Sequence, residues 1–298
     1  MKTLELWWAA SRPFSFTASI IPVLVGTLLA AEDSFSWWKA LLALVGAVAI
    51  HAGTNFVNDY YDHRKGVDSA ESLGPAGFIQ QGVVAARSVL FAGIFSFALG
   101  AGLGLVLCAT TDWQLLWLGI ASVLAGFLYT GAPVHLAYIG LGELTVFVFM
   151  GPVIVVGAYF VQLESWDWEA VVASLPVAFL VTAILQANNL RDIENDRETG
   201  KRTVATVIAR KWANREMEVL LWGSYVALVA AAVVQALPWT ALIALATAPL
   251  VLPIVKVIRA GGHPKKLNVA LFRTAQLHMR FGAVLALGLA INWVYQSI

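Results

Sequence analysis

Nine stretches of this 298-residue chain are apolar over a length that suits a lipid bilayer, and that repetition constrains the fold more than any other feature. A helix needs roughly 17–25 mainly apolar residues to cross hydrocarbon. Runs that satisfy this ruler lie near 13–31, 38–58, 88–109, 113–131, 141–162, 168–189, 216–236, 239–258 and 278–296. Composition agrees: 59% of residues are hydrophobic and 12% are charged, where soluble domains run nearer a quarter charged. Short turns at "TTDW" and "ALPW" make the third and fourth runs, and the seventh and eighth, helical hairpins. With no linker or low-complexity tract in view, residues 1–298 are expected to form a single transmembrane domain. The expected fold is an all-α integral membrane protein, about nine transmembrane helices in one bundle.

Charge placement orients the bundle. With a cytoplasmic N-terminus, nine spans put the loops at 59–87, 132–140, 190–215 and 259–277 on the cytoplasmic side. All of the 19 Lys and Arg residues except Lys39 then lie on or close to that side. The opposite loops carry Glu32, Asp33, Asp112, Glu164, Asp167 and Glu169, an asymmetry that follows the positive-inside rule. Trp7, Trp8, Trp37, Trp38, Trp113, Trp166 and Trp168 fall at span ends, where tryptophan anchors helices at the interface. The N-terminal stretch reads as an interfacial lead-in to a retained helix rather than a cleaved signal, no basic block suggests nucleic acid, and the single cysteine, Cys108, lies within an apolar run.

Two spans end in groups that hydrocarbon should reject: "NFVNDYYDHRKGVD" at 55–68 and "NNLRDIENDRETGKR" at 188–202. Residues three or four apart share a helix face. His51, Asn55, Asn58 (or Asp59) and Asp62 therefore form one polar stripe. Thr182, Gln186 and Asn189 form another, continued by Asn188, Asp192 and Asp196. Intramembrane polar residues face a cavity or a pathway. Carboxylate and amide oxygens are hard ligands suited to Mg²⁺, which takes one or two carboxylates and completes its shell with phosphate oxygens. Asp62 with Asp68, and Asp192 with Asp196, fit that pattern, and Arg64, Lys65, Arg191, Lys201 and Arg202 stand ready to neutralise a diphosphate. A diphosphate at the mouth of an apolar bundle implies a ligand with a charged head and a greasy tail, the form of an isoprenyl diphosphate.

These motifs resemble the two Asp-rich signatures, NDxxD and DxxxD, of the UbiA superfamily of membrane aromatic prenyltransferases. The likeness is greatest to the 1,4-dihydroxy-2-naphthoate polyprenyltransferases of menaquinone biosynthesis. It extends through "SRPFSFTASIIPVLVG" (11–26), "YTGAPVHLAYIGLGEL" (129–144), "VFMGPVIVVGAYFVQ" (148–162) and "TAQLHMRFG" (274–282). The resemblance implies Mg²⁺-dependent transfer of a polyprenyl group to an aromatic acceptor, with loss of CO₂ where that acceptor is the naphthoate. It implies that Asp59, Asp62, Asp68, Asp192 and Asp196 hold metal, with Asn55, Asn58, Asn188, Asn189 and Arg191 beside the substrate and Lys201 on the diphosphate. The active site then opens at the cytoplasmic side of a bacterial or archaeal plasma membrane, among membrane lipids, with oligomeric state open.

One departure from the family pattern is a loop without a cation between Lys65 and Arg87, where Gln80, Gln81 or Arg87 must substitute. Tyr129 and Tyr138 either face an allylic cation through the ring quadrupole or anchor the interface. Glu143 either orients the acceptor's hydroxyl or holds a partner such as His135. Asp68 either closes the metal site or caps its loop. His51 reads as an interhelical hydrogen bonder, and His278 and Arg280 as snorkelling side chains. Alternative acceptors are 4-hydroxybenzoate, homogentisate and haem. A cation-coupled transporter is a different class, disfavoured because the carboxylates sit at span ends rather than the midplane. A CDP-alcohol phosphotransferase is disfavoured because its long signature is absent.

Overall fold

The computed structural model describes residues 3–68, 73 and 77–296, and among them the chain is helical apart from turns and one isolated bridge between Ile139 and Arg202. A short helix α1 (Thr3–Ala10) leads through a turn at Pro13–Ser15 into α2 (Thr17–Ala30). There follow α3 (Trp37–Lys65), α4 (Ala86–Thr110), α5 (Leu115–Leu128), α6 (Gly142–Leu163) and α7 (Trp168–Glu198). The one-turn α8 (Val204–Val207), α9 (Arg210–Val233), α10 (Trp239–Ala260) and α11 (Pro264–Gln296) complete the order. Eight described helices are long and apolar enough to cross a membrane; α5, with 14 residues, is the ninth segment and is shorter than the expected 113–131.

Three helices extend well beyond their expected boundaries. The α3 helix continues to Lys65 and α7 to Glu198, and α11 begins at Pro264 rather than near 278. An apolar run marks where lipid contact ends, whereas the hydrogen-bond ladder continues wherever polar side chains find partners inside the protein. Asp59, Asp62, Asp192 and Asp196 are accordingly helical, whereas Asp68 lies beyond Gly66, past the end of α3. Buried His278 also departs from the snorkelling reading, because its Nδ1 lies 2.8 Å from the Thr17 hydroxyl, linking α11 to α2.

The α7 helix is central, packed by α2, α6, α9 and α11, with Ile21, Val25, Val177, Leu180, Leu221, Phe281 and Leu285 in one buried core. The α3 helix, which carries the first motif, is placed instead by a glycine seam with α4. Gly46 and Gly53 on α3 face Gly100 and Gly93 on antiparallel α4, seven residues apart on each helix. A Cβ on Gly53 would lie 3.1 Å from the Gly93 carbonyl oxygen, and one on Gly100 would lie 2.6 Å from Ile50 Cγ1. Small residues allow this backbone approach where lipid supplies no hydrophobic drive between helices. In α6 a π-helical turn at Phe149–Val153 includes Pro152. Proline has no N–H to close an α-helical ladder, and single π turns of this kind widen a helix at functional sites.

The seam makes a prediction about stability. Gly100→Val forces a branched side chain into backbone at a packed crossing and should cost about 1–3 kcal/mol. Thermal unfolding in detergent should show a lower midpoint than wild type; Gly102→Val, where a Cβ would meet open space, should not.

Candidate functional site

A cavity of about 830 Å³ lies between the helices. Its deeper wall is apolar, with Leu42, Ala47, Leu116, Val123, Val146, Phe149, Met150 and Val153 among its lining. One end is polar, lined by Asn58, Asp62 and Asp68 from the first motif and by Asn188, Asp192, Asn195, Asp196 and Lys201 from the second. Arg12, His51, Asn55, Tyr129, Glu143, Asn189 and Arg191 line it too.

The two motif helices end alike. A glycine with positive φ follows each last turn, Gly66 at 69° and Gly200 at 74°. Beyond each glycine the chain folds back: Val67 N–H donates to the Asp62 carbonyl at 2.9 Å, and Lys201 N–H to the Asp196 carbonyl at 2.8 Å. This is the reverse turn that closes many helices at glycine, and it carries Lys201 over the end of its own motif. Within each motif an asparagine supports the aspartate one turn on. Asn58 Nδ2 donates to Asp62 at 3.0 Å, and Asn188 Nδ2 reaches Asp192 at 3.4 Å. Asn195 Nδ2 donates to the Val67 carbonyl at 3.1 Å and joins the two ends.

Electrostatics converge on Lys201, whose Nζ lies 3.5 Å from Asp196 Oδ1. Burial opposes its charge, but Asp62, Asp196, Asp192 and Asp68 outweigh that cost and hold the ammonium above the usual lysine value. Carboxylates from both motifs therefore share one cation. Burial and then the neighbouring Asp62 push the Asp68 carboxyl up to about 8, against the pull of Arg12. Arg191 spans Asp192 (Nε–Oδ1 2.7 Å), Asn188 (2.8 Å) and Asn268 of α11 (2.8 Å), fixing the second motif to the last helix.

Other expected residues take different positions. Tyr138 does not line the cavity; its hydroxyl donates to Asp62, and its ring lies under Lys65 Nζ at 3.9 Å. Lys65, Arg64 and Arg202 are exposed and off the cavity, with Arg64 over Tyr60 and the Arg202 N–H donating to the Tyr138 carbonyl. Asp59 is buried, paired with Arg12, and also off the cavity. Gln80 Nε2 donates to the Asp68 carbonyl at 3.2 Å rather than entering the cavity. Tyr129 does line it, and burial together with Glu143, Asp62 and Asp196 pushes its phenol pKa upward, keeping the hydroxyl protonated. Glu143 is held by Asn189 Nδ2 at 2.8 Å and by the Val204 N–H at 3.3 Å, not by His135, which bonds the Thr130 carbonyl. His51 bridges Ser15 and Ser19, at 3.2 and 2.9 Å.

Sequence reasoning assigned no role to Arg12, Asn195 or Asn268. Arg12 is signalled only by its place at the entrance of a span, Asn195 lies inside the second motif but off its four-residue steps, and Asn268 lies outside both motifs.

The donor set fits a hard divalent cation. All candidate ligands are carboxylate or amide oxygens, and Asp68 Oδ2, Asp196 Oδ2 and Glu143 Oε2 are buried without a hydrogen-bond partner. Among the described residues no three acidic, histidine or cysteine side chains converge into a closed cage. A cation here would take one or two protein oxygens and leave coordination positions for a ligand's oxygens and water, as Mg²⁺ does.

A profile of the UbiA prenyltransferase family matches residues 19–279. The 1,4-dihydroxy-2-naphthoate octaprenyltransferase of Bacillus subtilis is 33% identical over 291 residues, covering 97% of this chain and 93% of that protein. The enzyme of the same description from Mycobacterium tuberculosis is 35% identical over 289 residues, covering 97% of each. Among solved structures, a UbiA homolog from Archaeoglobus fulgidus bound to GPP and Mg²⁺ superposes with a TM-score of 0.60 at 17% identity, covering 98% of this chain and 100% of that one.

Removing the shared cation tests the electrostatic reading. Lys201→Met leaves buried carboxylates without their counter-charge, which typically costs about 3–5 kcal/mol. Melting in detergent should drop well below wild type, while Lys201→Arg recovers most of the loss. Equal midpoints for the Met variant and wild type would mean that water, not Lys201, satisfies these carboxylates.

Proposed function

Because the chain belongs to the UbiA prenyltransferase family, we propose that it transfers a polyprenyl group from a polyprenyl diphosphate to 1,4-dihydroxy-2-naphthoate, with loss of CO₂, in menaquinone biosynthesis. The observation that carries this reading is the cavity's division: two acid motifs and Lys201 at one end, apolar side chains along the rest. That division matches a ligand with a diphosphate head and an isoprenoid tail. The naphthoate acceptor is supported by the printed descriptions of the full-length relatives.

Asp62, Asp192 and Asp196, with Asp68 beside them, would hold Mg²⁺, and Asn58 and Asn188 orient the first two carboxylates through the bonds described above. Bound Mg²⁺ supplies Lewis-acid charge that offsets the negative charge gathering on the departing diphosphate. Lys201 adds a fixed cation at the same place, preorganised by its four carboxylates. Tyr129 lines the cavity, and its ring would favour positive charge at C1 of the prenyl chain through the ring quadrupole. Glu143 and Asn189 hold each other at the cavity wall, with one Glu143 oxygen free to accept from an acceptor hydroxyl. The apolar wall excludes water, which would otherwise capture the cation. Tyr138 acts through Asp62, whose carboxylate it steadies, rather than on the prenyl chain. The positive-inside rule, applied to the basic loops, supports an opening at the cytoplasmic face.

Purified protein supplied with geranylgeranyl diphosphate, Mg²⁺ and a panel of aromatic acids tests the proposal. Mass spectrometry should find the naphthoate product heavier by the prenyl group and lighter by CO₂. Prenylation of 4-hydroxybenzoate or homogentisate with the naphthoate left untouched would reassign the acceptor.

Asp62→Ala and Asp192→Ala should each lower transfer by at least about 100-fold while leaving the melting profile of a folded membrane protein. Chelation by EDTA should abolish transfer, and added Mg²⁺ restore it. Retained Mg²⁺-dependent transfer in either variant would sink the metal assignment.

A further inference from the structure

The first-motif side of the polar end lacks a cation from its own loop. Arg64 and Lys65 are exposed and off the cavity, and no Lys or Arg follows until Arg87, which is exposed and likewise off it. Asp62, Asp68 and Asn58 line that side. The cation there comes from a different part of the chain: Arg12, in the link between α1 and α2, lines the cavity with its side chain 22% exposed.

Three observations set this arginine apart. Its backbone is left-handed, at φ 59° and ψ 57°, a region that non-glycine residues avoid. It also precedes Pro13, a position that favours extended backbone. The Ser15 N–H and hydroxyl, at 2.9 and 2.8 Å, both donate to the Arg12 carbonyl and hold this conformation. Strain of this kind persists where the surrounding structure enforces it, and functional sites are where it gathers. One terminal nitrogen pairs with buried Asp59, and Nε has no acceptor. Asp59 itself is 4% exposed and does not reach the cavity.

Resting on the reading that the cavity takes a prenyl diphosphate, we propose that Arg12 is a diphosphate-binding residue. On this proposal Asp59 is a positioning residue that holds Arg12, not a metal ligand. A guanidinium is planar and has two edges rich in donors. Asp59 takes one terminal nitrogen and fixes the plane, and Nε, which has no acceptor, is left for a phosphate oxygen at the end of the cavity that Lys201 also lines. The head group is thereby clamped between a cation from each side of the cavity. A lysine at position 12 offers one ammonium, which cannot serve Asp59 and a phosphate in fixed planar geometry.

The experiment measures kcat and KM for geranylgeranyl diphosphate, KM for the acceptor, and competitive inhibition by inorganic pyrophosphate with Mg²⁺. Arg12→Gln should raise the prenyl diphosphate KM and weaken pyrophosphate inhibition by about 10–100-fold, the range for a hydrogen bond to a charged group, with the acceptor KM unchanged. Asp59→Asn should shift the same two constants by a smaller factor, and Asp59→Glu should restore them towards wild type. The charge-swapped pair Arg12→Asp with Asp59→Arg rebuilds an ion pair but not a cavity cation, so it should remain as impaired as Arg12→Gln.

A folded Arg12→Gln variant with wild-type KM and pyrophosphate inhibition overturns the proposal. So does a charge-swapped pair that recovers both, since that would make the ion pair structural only. Should Arg12→Gln fail to fold, unchanged constants in Asp59→Asn overturn the positioning role. Wild-type protein that neither turns over geranylgeranyl diphosphate nor binds pyrophosphate would instead defeat the underlying function.

Discussion

Lys201 and the carboxylates around it are the interaction on which this architecture turns. Asp62 lies on α3, Asp192 and Asp196 on α7, and Asp68 just beyond Gly66, and acids gathered at one end of a cavity repel less with a cation among them. The glycine turn after α7 is what delivers that cation, because Gly200 at φ 74° lets the chain reverse so that the Lys201 N–H meets the Asp196 carbonyl. The equivalent reversal after α3 uses Gly66 and brings Val67 back over Asp62. A buried cluster of this sort is costly to desolvate, so its value lies in register: α3 and α7 must meet at one height for the charges to match.

The remainder of the fold serves that meeting. A glycine seam sets α3 against α4, while α7 is locked from several sides in the main core. Arg191 adds a polar strut from α7 to α11 through Asn268. The loop containing Tyr138 touches both motifs, through its hydroxyl on Asp62 and its carbonyl on the Arg202 N–H. Below this girdle the wall is apolar, and the π turn of α6 presents Phe149, Met150 and Val153 to the cavity. Charge at one end and hydrocarbon along the other follow from the same helices, whose polar positions cluster within a few turns of their ends.

Much of this was legible from residue spacing. Span length marked the helices, and four-residue steps through Asn58 and Asp62, and through Asn188, Asp192 and Asp196, identified two faces that do line one cavity. Ambiguity between Asn58 and Asp59 was a matter of about 100° of rotation, and spacing alone could not choose; packing turns Asp59 away, towards Arg12. The Arg12–Asp59 pair links positions 47 apart, and no local pattern encodes such a contact. Cations beside the motifs were equally plausible by sequence, yet Arg64 and Lys65 fall on the exposed side of the last turn of α3 and Arg202 is exposed, while the turn at Gly200 brings Lys201 to the cavity. Helix ends were misjudged for a related reason: hydropathy reports lipid, not hydrogen bonding.

The separation of Arg12, Asp59 and Lys201 along the chain has a consequence for biogenesis. Translation proceeds from the N-terminus at about 5–20 residues per second, so Arg12 is already present when Asp59 is made. Lys201 follows Asp68 by 133 residues, a wait of roughly 7–27 s at that pace. For that interval Asp62 and Asp68 lack the Lys201 cation. Asp62 has Asn58 beside it from the start and gains the Tyr138 hydroxyl midway, whereas Lys201 comes only with the second motif. The nascent bundle therefore passes through a stage in which α3 and α4 can already lie on their glycine seam while the polar end remains open. Closing it is the work of the second half of the chain.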